Sequence, residues 1–241
     1  MPLEVKVIPG ELPLFWDKSA IFFVNLHSLF FGNDELTKVL EGEICGIPTY
    51  GGRILSILNL IFRKGQNLVI LEAPPDESLL EYVTDKLGIS IPDIEILSYK
   101  SYGSLEERIA NNNLDDIEIV INKIRSHAAE WLDGFVTDET LATIAESTGK
   151  STISSVEGSK KGNNKLLLHN HLLEKGLPVF DTFLASSPEE VISCFKKLCT
   201  IGYEEAVLKS QIGASGCGLV KHYTACDLSD NTFPDYFFFE G

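Results

Sequence analysis

The stretch EEAVLKSQIGASGCGLVK, residues 204–221, decides how this chain is interpreted. Two short apolar runs flank a loop that holds three glycines, with Lys209 at the end of the first run and Lys221 after the second. Glycine permits positive φ and lets backbone N–H groups approach an anion closely, and a lysine adds a point charge. The pattern predicts two strands joined by a flexible hairpin, which is either an ordinary turn or a loop that closes over an anion such as phosphate.

Three known glycine motifs do not fit this loop. A Walker A loop needs Lys and Ser or Thr where Leu219 and Val220 stand. A dinucleotide-binding fingerprint needs a third glycine where Lys221 stands, and a nucleophile elbow needs a glycine where Cys217 stands. What remains is a strand, a lysine, a flexible loop and a second strand; this geometry suits a lid over phosphates, and an ordinary turn stays the alternative.

The first part of the chain alternates between strand and helix patterns. Residues 68–71, LVIL, form a continuous apolar run that is typical of a central parallel strand. Strands are predicted at 20–26, 68–71, 94–99 and 134–138, and helices at 54–62, 77–87, 111–131 and 138–150. This alternation up to about residue 150 predicts a mostly parallel, layered α/β unit.

The organisation changes at residues 151–164, which are rich in Ser, Gly and Lys and are interpreted as a linker. A helix is predicted at 164–175 with Gly176 as its stop, and a second helix begins at Ser187, which serves as the N-cap. Strands are predicted at 180–185, 205–210, 217–223 and 235–241. The predicted domains are therefore residues 1–155 and 156–241.

The order of motifs in the second part resembles the first half of an ATP-grasp domain. The matching segments are NNKLLLHNHLLEKGLPVFDTFLASSPEEVISCFKKL (163–198), residues 204–221 and DYFFFEG (235–241). In that family a lysine opens a helix, a second lysine ends a strand before the glycine loop, and a glutamate ends a strand at the adenine hinge. The resemblance implies that ATP is bound by Lys165, Lys209, Gly213, Ala214, Ser215, Gly216, Gly218 and Glu240.

The upstream segments VILEAPPDESLLEYVTDKLGI (69–89) and LDGFVTDETLATIAESTG (132–149) are similar to the pre-ATP-grasp region of amide- and peptide-forming ligases. The similarity is especially to ligases related to the pheganomycin-type peptide ligases. The implied fold is α/β: an N-terminal Rossmann-like pre-ATP-grasp domain, followed by the α+β lid subdomain of an ATP-grasp fold that is truncated at the adenine hinge.

The resemblance also implies a reaction. ATP phosphorylates a carboxylate of a small molecule or peptide, and an amine substrate attacks the acyl phosphate. The family requires Mg²⁺, whose ligands would lie beyond residue 241. We therefore expect a fragment of a longer protein or one half of a split enzyme, with little turnover alone. We also expect a strand edge exposed near residues 236–241, which would favour a homo-oligomer.

Composition excludes some partners. The formal net charge of −15 opposes general binding to nucleic acid or to an anionic membrane surface. Five cysteines without a CxxC pair, and no signal-peptide pattern, predict reduced thiols and a cytoplasmic location. His169 and His171 point to different sides of a helix, which predicts surface or half-buried side chains rather than a metal site. The alternative function is a non-catalytic α/β binding or assembly module that retains an ATP-grasp remnant.

Overall fold

The computed structural model describes residues 17–31, 33–43, 46–114, 117–212, 219–222 and 237–240. The chain divides into two compact units. The first unit contains residues 17–26 and 46–155, and the second contains 27–43 and the residues from 156 onward. Residues 27–43 therefore belong to the second unit, although they precede most of the first unit in sequence. The predicted domains, residues 1–155 and 156–241, stay a prediction.

In the described part of the first unit, five strands form a parallel sheet. They are β1 (Ala20–Phe23), β2 (Leu68–Leu71), β3 (Asp93–Ile96), β4 (Trp131–Gly134) and β5 (Ser151–Thr152). Their order is β3-β2-β1-β4-β5, and Ile21 of β1 lies opposite both Leu68 and Leu132. Every residue of β1 and β2 is buried, as expected for central parallel strands. The sheet confirms the predicted α/β fold.

Helices connect and cover the strands. Among the described residues the α-helices are, in chain order, α1 (Asp34–Glu43), α2 (Ile47–Tyr50), α3 (Leu58–Ile61), α4 (Glu77–Glu81), α5 (Tyr99–Gly103), α6 (Leu105–Ala110), α7 (Glu118–Ser126), α8 (Glu139–Thr148), α9 (Val156–Asn163), α10 (Lys165–Glu174) and α11 (Pro188–Thr200). Short 3₁₀ segments span Leu26–Ser28 and Gly51–Ser56, and a π-helical turn spans Tyr82–Lys86. Apolar side chains of α7 and α8, including Ile121, Ile124, Leu141 and Ile144, pack against β1 and β2 in one core.

A buried polar network joins the carboxyl end of β1 to the start of α8. The Tyr102 hydroxyl donates to Asp138 Oδ1 at 2.6 Å, and Asn25 Nδ2 donates to the Tyr102 hydroxyl at 3.2 Å and to the Val136 carbonyl at 2.9 Å. The same Asp138 oxygen accepts from Leu141 N and caps α8. Burial, and then the Asp138 charge, raise the pKa of Tyr102 well above its usual value. The network fixes the loops at this edge of the sheet.

The second unit contains an antiparallel sheet. Its described strands are β6 (Thr182–Ala185), β7 (Ala206–Ser210), β8 (Leu219–His222) and β9 (Phe237–Glu240), in the order β6-β9-β7-β8. Helix α11 begins at the predicted N-cap, where Ser187 Oγ accepts from Glu190 N at 3.3 Å. Its apolar face packs on the sheet, and Phe195 and Leu198 are buried with Ala206 and Leu208. This arrangement confirms the predicted α+β character of the second part.

Two predictions about the second part of the chain are wrong. The presumed linker at 151–164 holds β5 and helix α9, in which Lys161 Nζ lies 2.7 Å from Glu157 Oε1 one turn earlier. Its polar composition reflects a solvated helix face rather than a loop. Strand β9 is not an exposed edge, because it pairs with β6 on one side and β7 on the other. Strand β9 therefore offers no free edge for the pairing that was expected to favour a homo-oligomer.

Several boundaries in the first unit also differ from prediction. The strand expected at 134–138 is β4, which ends at Gly134; the helix expected at 54–62 is a 3₁₀ segment followed by the short α3.

A Cβ on Gly134 would lie 2.9 Å from Asn25 Oδ1 and 3.0 Å from the Phe23 carbonyl oxygen. Glycine is needed there because the neighbouring strand end approaches so closely.

Candidate functional site

The start of helix α10 is joined to the residues that follow strand β7. Asn164 caps the helix by accepting a hydrogen bond from Leu167 N at 3.0 Å. Lys165 N donates to the Gln211 carbonyl at 2.8 Å, and Asn164 Nδ2 donates to Gln211 Oε1 at 3.3 Å. The helix N-terminus is therefore fixed beside the entrance of the glycine hairpin.

Two lysines from different elements line one cleft of about 280 Å³. Lys165 opens α10, while Lys209 lies on β7, opposite Leu219 of β8 and Phe238 of β9. Burial lowers the pKa of Lys209. Burial, and then the Lys209 charge, lower the pKa of Lys165. The two ammonium groups thus repel each other in a partly desolvated cleft, and a bound anion would relieve that repulsion.

The rest of the cleft wall is mostly apolar. Residues three, four and seven positions after Lys165 fall on the same face of a helix, and all three line the cleft. Gly176, with φ of 66°, ends the turn after α10, and Leu177 N donates to the Leu172 carbonyl at 2.9 Å. Apart from the two lysines, the lining side chains are those three residues of α10, Leu168, His169 and Leu172, together with Pro178, Val179 and Phe180. The cleft therefore combines a cationic end with an apolar wall.

Such a cleft suits a molecule with an anionic tail and a flat, weakly polar body. The phosphates of a nucleotide match the cationic end, because lysine ammonium groups and backbone N–H groups stabilise phosphate charge. The exposed Phe180 side chain, 66% accessible, and the neighbouring Leu168 provide apolar surface that a base would cover.

The structure brings two of the predicted ATP-binding residues together, namely Lys165 and Lys209. Glu240 ends β9, opposite Val207 of β7 and Thr182 of β6. The predicted loop residues Gly213, Ala214, Ser215, Gly216 and Gly218 lie outside the described residues. The ATP-binding role of all these residues stays a prediction.

Sequence analysis missed one polar residue of the cleft, His169. The sequence predicts a surface or half-buried side chain, which the structure confirms, but it does not predict its place in the cleft. Its spacing of four residues from Lys165 was the available signal, because residues i and i+4 share a helix face. Within α10, His169 is half-buried and lines the cleft, whereas His171 is exposed and does not.

In the described ranges, no group of three or more His, Cys, Asp or Glu side chains could hold a metal ion. No described residue is therefore assigned to Mg²⁺. Within these ranges no helix has both the length and the apolar character needed to cross a membrane.

The chain was compared with known proteins. No protein-family model matches it, and no curated protein matches it. Similar solved structures include N5-carboxyaminoimidazole synthetase from Staphylococcus aureus complexed with ADP, at 13% identity and a TM-score of 0.49, covering 94% of this chain and 48% of that one. The corresponding synthase from Aspergillus clavatus, in complex with ADP and 5-aminoimidazole ribonucleotide, has 15% identity and a TM-score of 0.45, covering 93% and 46%.

A third similar structure is the RimK domain protein ATP-grasp from Sphaerobacter thermophilus, at 19% identity and a TM-score of 0.37, covering 46% of this chain and 45% of that one. The name of this third structure includes ATP-grasp, the superfamily that the sequence resembles. The aligned part covers less than half of each of these three chains. All three TM-scores are below 0.5.

Proposed function

We propose that this chain is the ATP-binding portion of an ATP-dependent ligase that joins a carboxylate to an amine. One observation carries the proposal: Lys165 and Lys209, both with lowered pKa values, line a single apolar-walled cleft beside the entrance of the glycine hairpin. Partly desolvated cations of this kind hold phosphates more strongly than exposed lysines do. The domains 1–155 and 156–241 and a cytoplasmic location are part of the same proposal.

The lysines have a defined task in the proposed reaction. A carboxylate oxygen of the substrate attacks the γ-phosphorus of ATP, the bond from that phosphorus to the bridging oxygen breaks, and ADP leaves. Lys165 and Lys209 neutralise the phosphate oxygens, and the backbone N–H groups of residues 213–218 and the Ser215 hydroxyl add donors. Phosphoryl transfer depends mainly on positioning and electrostatic stabilisation of this kind.

The second half of the reaction forms the amide. An amine nitrogen attacks the carbonyl carbon of the acyl phosphate, the carbon–oxygen bond to phosphate breaks, and inorganic phosphate and a proton are released. Mg²⁺ would further neutralise the phosphates when bound. The substrates proposed are small-molecule or peptide carboxylates and amines, and Glu240 would contact the base at the hinge.

Nucleotide titration of a single lysine variant tests the proposal. In Lys209→Met, which removes the charge and keeps most of the length of the side chain, ATP with Mg²⁺ should bind about 10- to 100-fold more weakly by calorimetry, since hydrogen bonds to charged groups contribute about 1.5–3 kcal/mol. Lys196→Met is the matched control, because Lys196 is exposed on α11 and does not line the cleft. Equal binding by both variants, or no binding by the unaltered chain, would favour the non-catalytic module instead.

A further inference from the structure

We infer that His169 contacts the nucleoside end of the bound nucleotide and helps to select it. This inference rests on the proposed function and deepens it, because it assigns the part of the ligand that lies beyond the phosphates. It concerns a side chain that belongs to neither the lysine pair nor the glycine hairpin.

The position of His169 along α10 supports the inference. Lys165 is the first residue of the helix, and His169 comes four residues later on the face that lines the cleft. Four residues advance about 6 Å along a helix axis. The sugar of a nucleotide follows its phosphates directly, and the base comes next. A nucleotide with its phosphates at the two lysines and its length along α10 therefore presents its sugar or base to His169.

The surroundings of His169 favour the nucleoside over the phosphates. Its neighbours in the cleft wall include Leu168 and Leu172 of the same helix, whereas the cationic end is formed by Lys165 and Lys209. Phosphate oxygens placed among leucines would lose hydration without gaining a cation, which is costly. A sugar hydroxyl or the polar edge of a base needs only a single hydrogen-bonding partner there. Imidazole can donate through one ring nitrogen and accept through the other.

The proportion of polar to apolar groups is also typical of selective sites. Small-molecule sites are mostly apolar, with a few polar groups that fix orientation. Of the described residues that line this cleft, His169 is the one polar side chain besides the two lysines. A site that hydrogen-bonds its ligand discriminates against ligands that lack the partner group. His169 thus provides a means of distinguishing a nucleoside triphosphate from other polyphosphates.

Two ligands separate the nucleoside contact from a phosphate contact: ATP with Mg²⁺, and inorganic tripolyphosphate with Mg²⁺. His169→Phe keeps a planar ring and removes both ring nitrogens. By calorimetry it should bind ATP about three- to tenfold more weakly, the loss expected for one hydrogen bond, and bind tripolyphosphate unchanged. His171→Phe, on the same helix but exposed and away from the cleft, should bind both ligands normally. His169→Gln should recover most of the ATP affinity.

The outcomes that overturn the inference are distinct. If His169→Phe binds ATP normally, or weakens ATP and tripolyphosphate equally, His169 does not contact the nucleoside. If His169→Gln is as weak as His169→Phe, the contact is not a hydrogen bond. Both outcomes leave the proposed function intact as long as Lys209→Met weakens ATP. If the unaltered chain binds no ATP, the proposed function and this inference fail together. Thermal unfolding checks that each variant is folded. We expect the variants to fold, because none of the described side chains of α10 is fully buried and a substitution there disturbs no core.

Discussion

Removal of the Tyr102 hydroxyl tests the buried network of the first unit. Tyr102→Phe retains the ring, which is 5% exposed, so the packing against Phe23 at 5.9 Å between ring centroids is kept. What is lost is the hydrogen bond to the Asp138 carboxylate at 2.6 Å and the one from Asn25 at 3.2 Å. The perturbation therefore isolates polar interactions in a buried site.

The expected loss of stability follows from the hydrogen-bond partners of the Tyr102 hydroxyl. A hydrogen bond to a charged group contributes about 1.5–3 kcal/mol, and a neutral one about 0.5–1.5 kcal/mol. Asp138 still accepts from Leu141 N, and Asn25 still donates to the Val136 carbonyl, so neither group is left without a bond. We expect the free energy of unfolding to fall by about 2–4 kcal/mol at neutral pH.

The pH dependence provides a second signature of the same hydroxyl. The pKa of Tyr102 is raised in the folded chain, so the tyrosine ionises more readily when unfolded. The unfolded state then binds fewer protons above the unfolded tyrosine pKa of about 10, and stability falls there by up to about 1.4 kcal/mol per pH unit. Phenylalanine has no such proton. The difference in unfolding free energy between the unaltered chain and Tyr102→Phe should therefore have its full value below about pH 10 and become smaller above it.

Urea unfolding followed by tryptophan fluorescence measures both effects, because Trp131 is part of strand β4. Tyr82→Phe is the matched control, since Tyr82 is 56% exposed and its change should stay within about 0.5 kcal/mol. A loss below about 0.5 kcal/mol for Tyr102→Phe, or a loss that does not change with pH, would refute the account of this network.

Two further predictions concern close contacts and charge. Gly134→Ala should destabilise the chain by about 1–3 kcal/mol in the same urea assay, because its Cβ would lie 3.0 Å from the backbone carbonyl of Phe23; unchanged stability would contradict that close approach. In Lys209→Met the pKa of Lys165 should rise, since one cause of its lowering is the Lys209 charge. Carbon-detected NMR titration of lysine side chains measures this, and an unchanged pKa would show that the two groups do not interact.

Local chemistry made much of the second unit predictable. The N-cap Ser187, the start of a helix near Asn164 and the stop at Gly176 follow from residue types that satisfy free helix ends. The lysine at the end of an apolar strand indicated the cationic cleft, because few other contexts place a charge beside a buried run. These features depend on neighbours in sequence, which a single sequence displays directly.

What the sequence did not predict depends on contacts distant along the chain. Helix α1 precedes most of the first unit in sequence and yet belongs to the second, and no local pattern records such an assignment. Residues 151–164 look like a linker because their helix has a long solvated face. The cleft role of His169 required knowledge that residues 178–180 return to line the same space.

The place of β9 between β6 and β7 has a consequence for how the second unit is made. Neither neighbour pairs with the other, so β6 and the β7–β8 hairpin are not joined by strand hydrogen bonds until residues 237–240 are available. Pairing between widely separated segments carries a loop-closure penalty and slows folding. On the ribosome, this sheet would close only after its last strand emerges, and assembly of the cationic cleft beside β7 would be coupled to that late step.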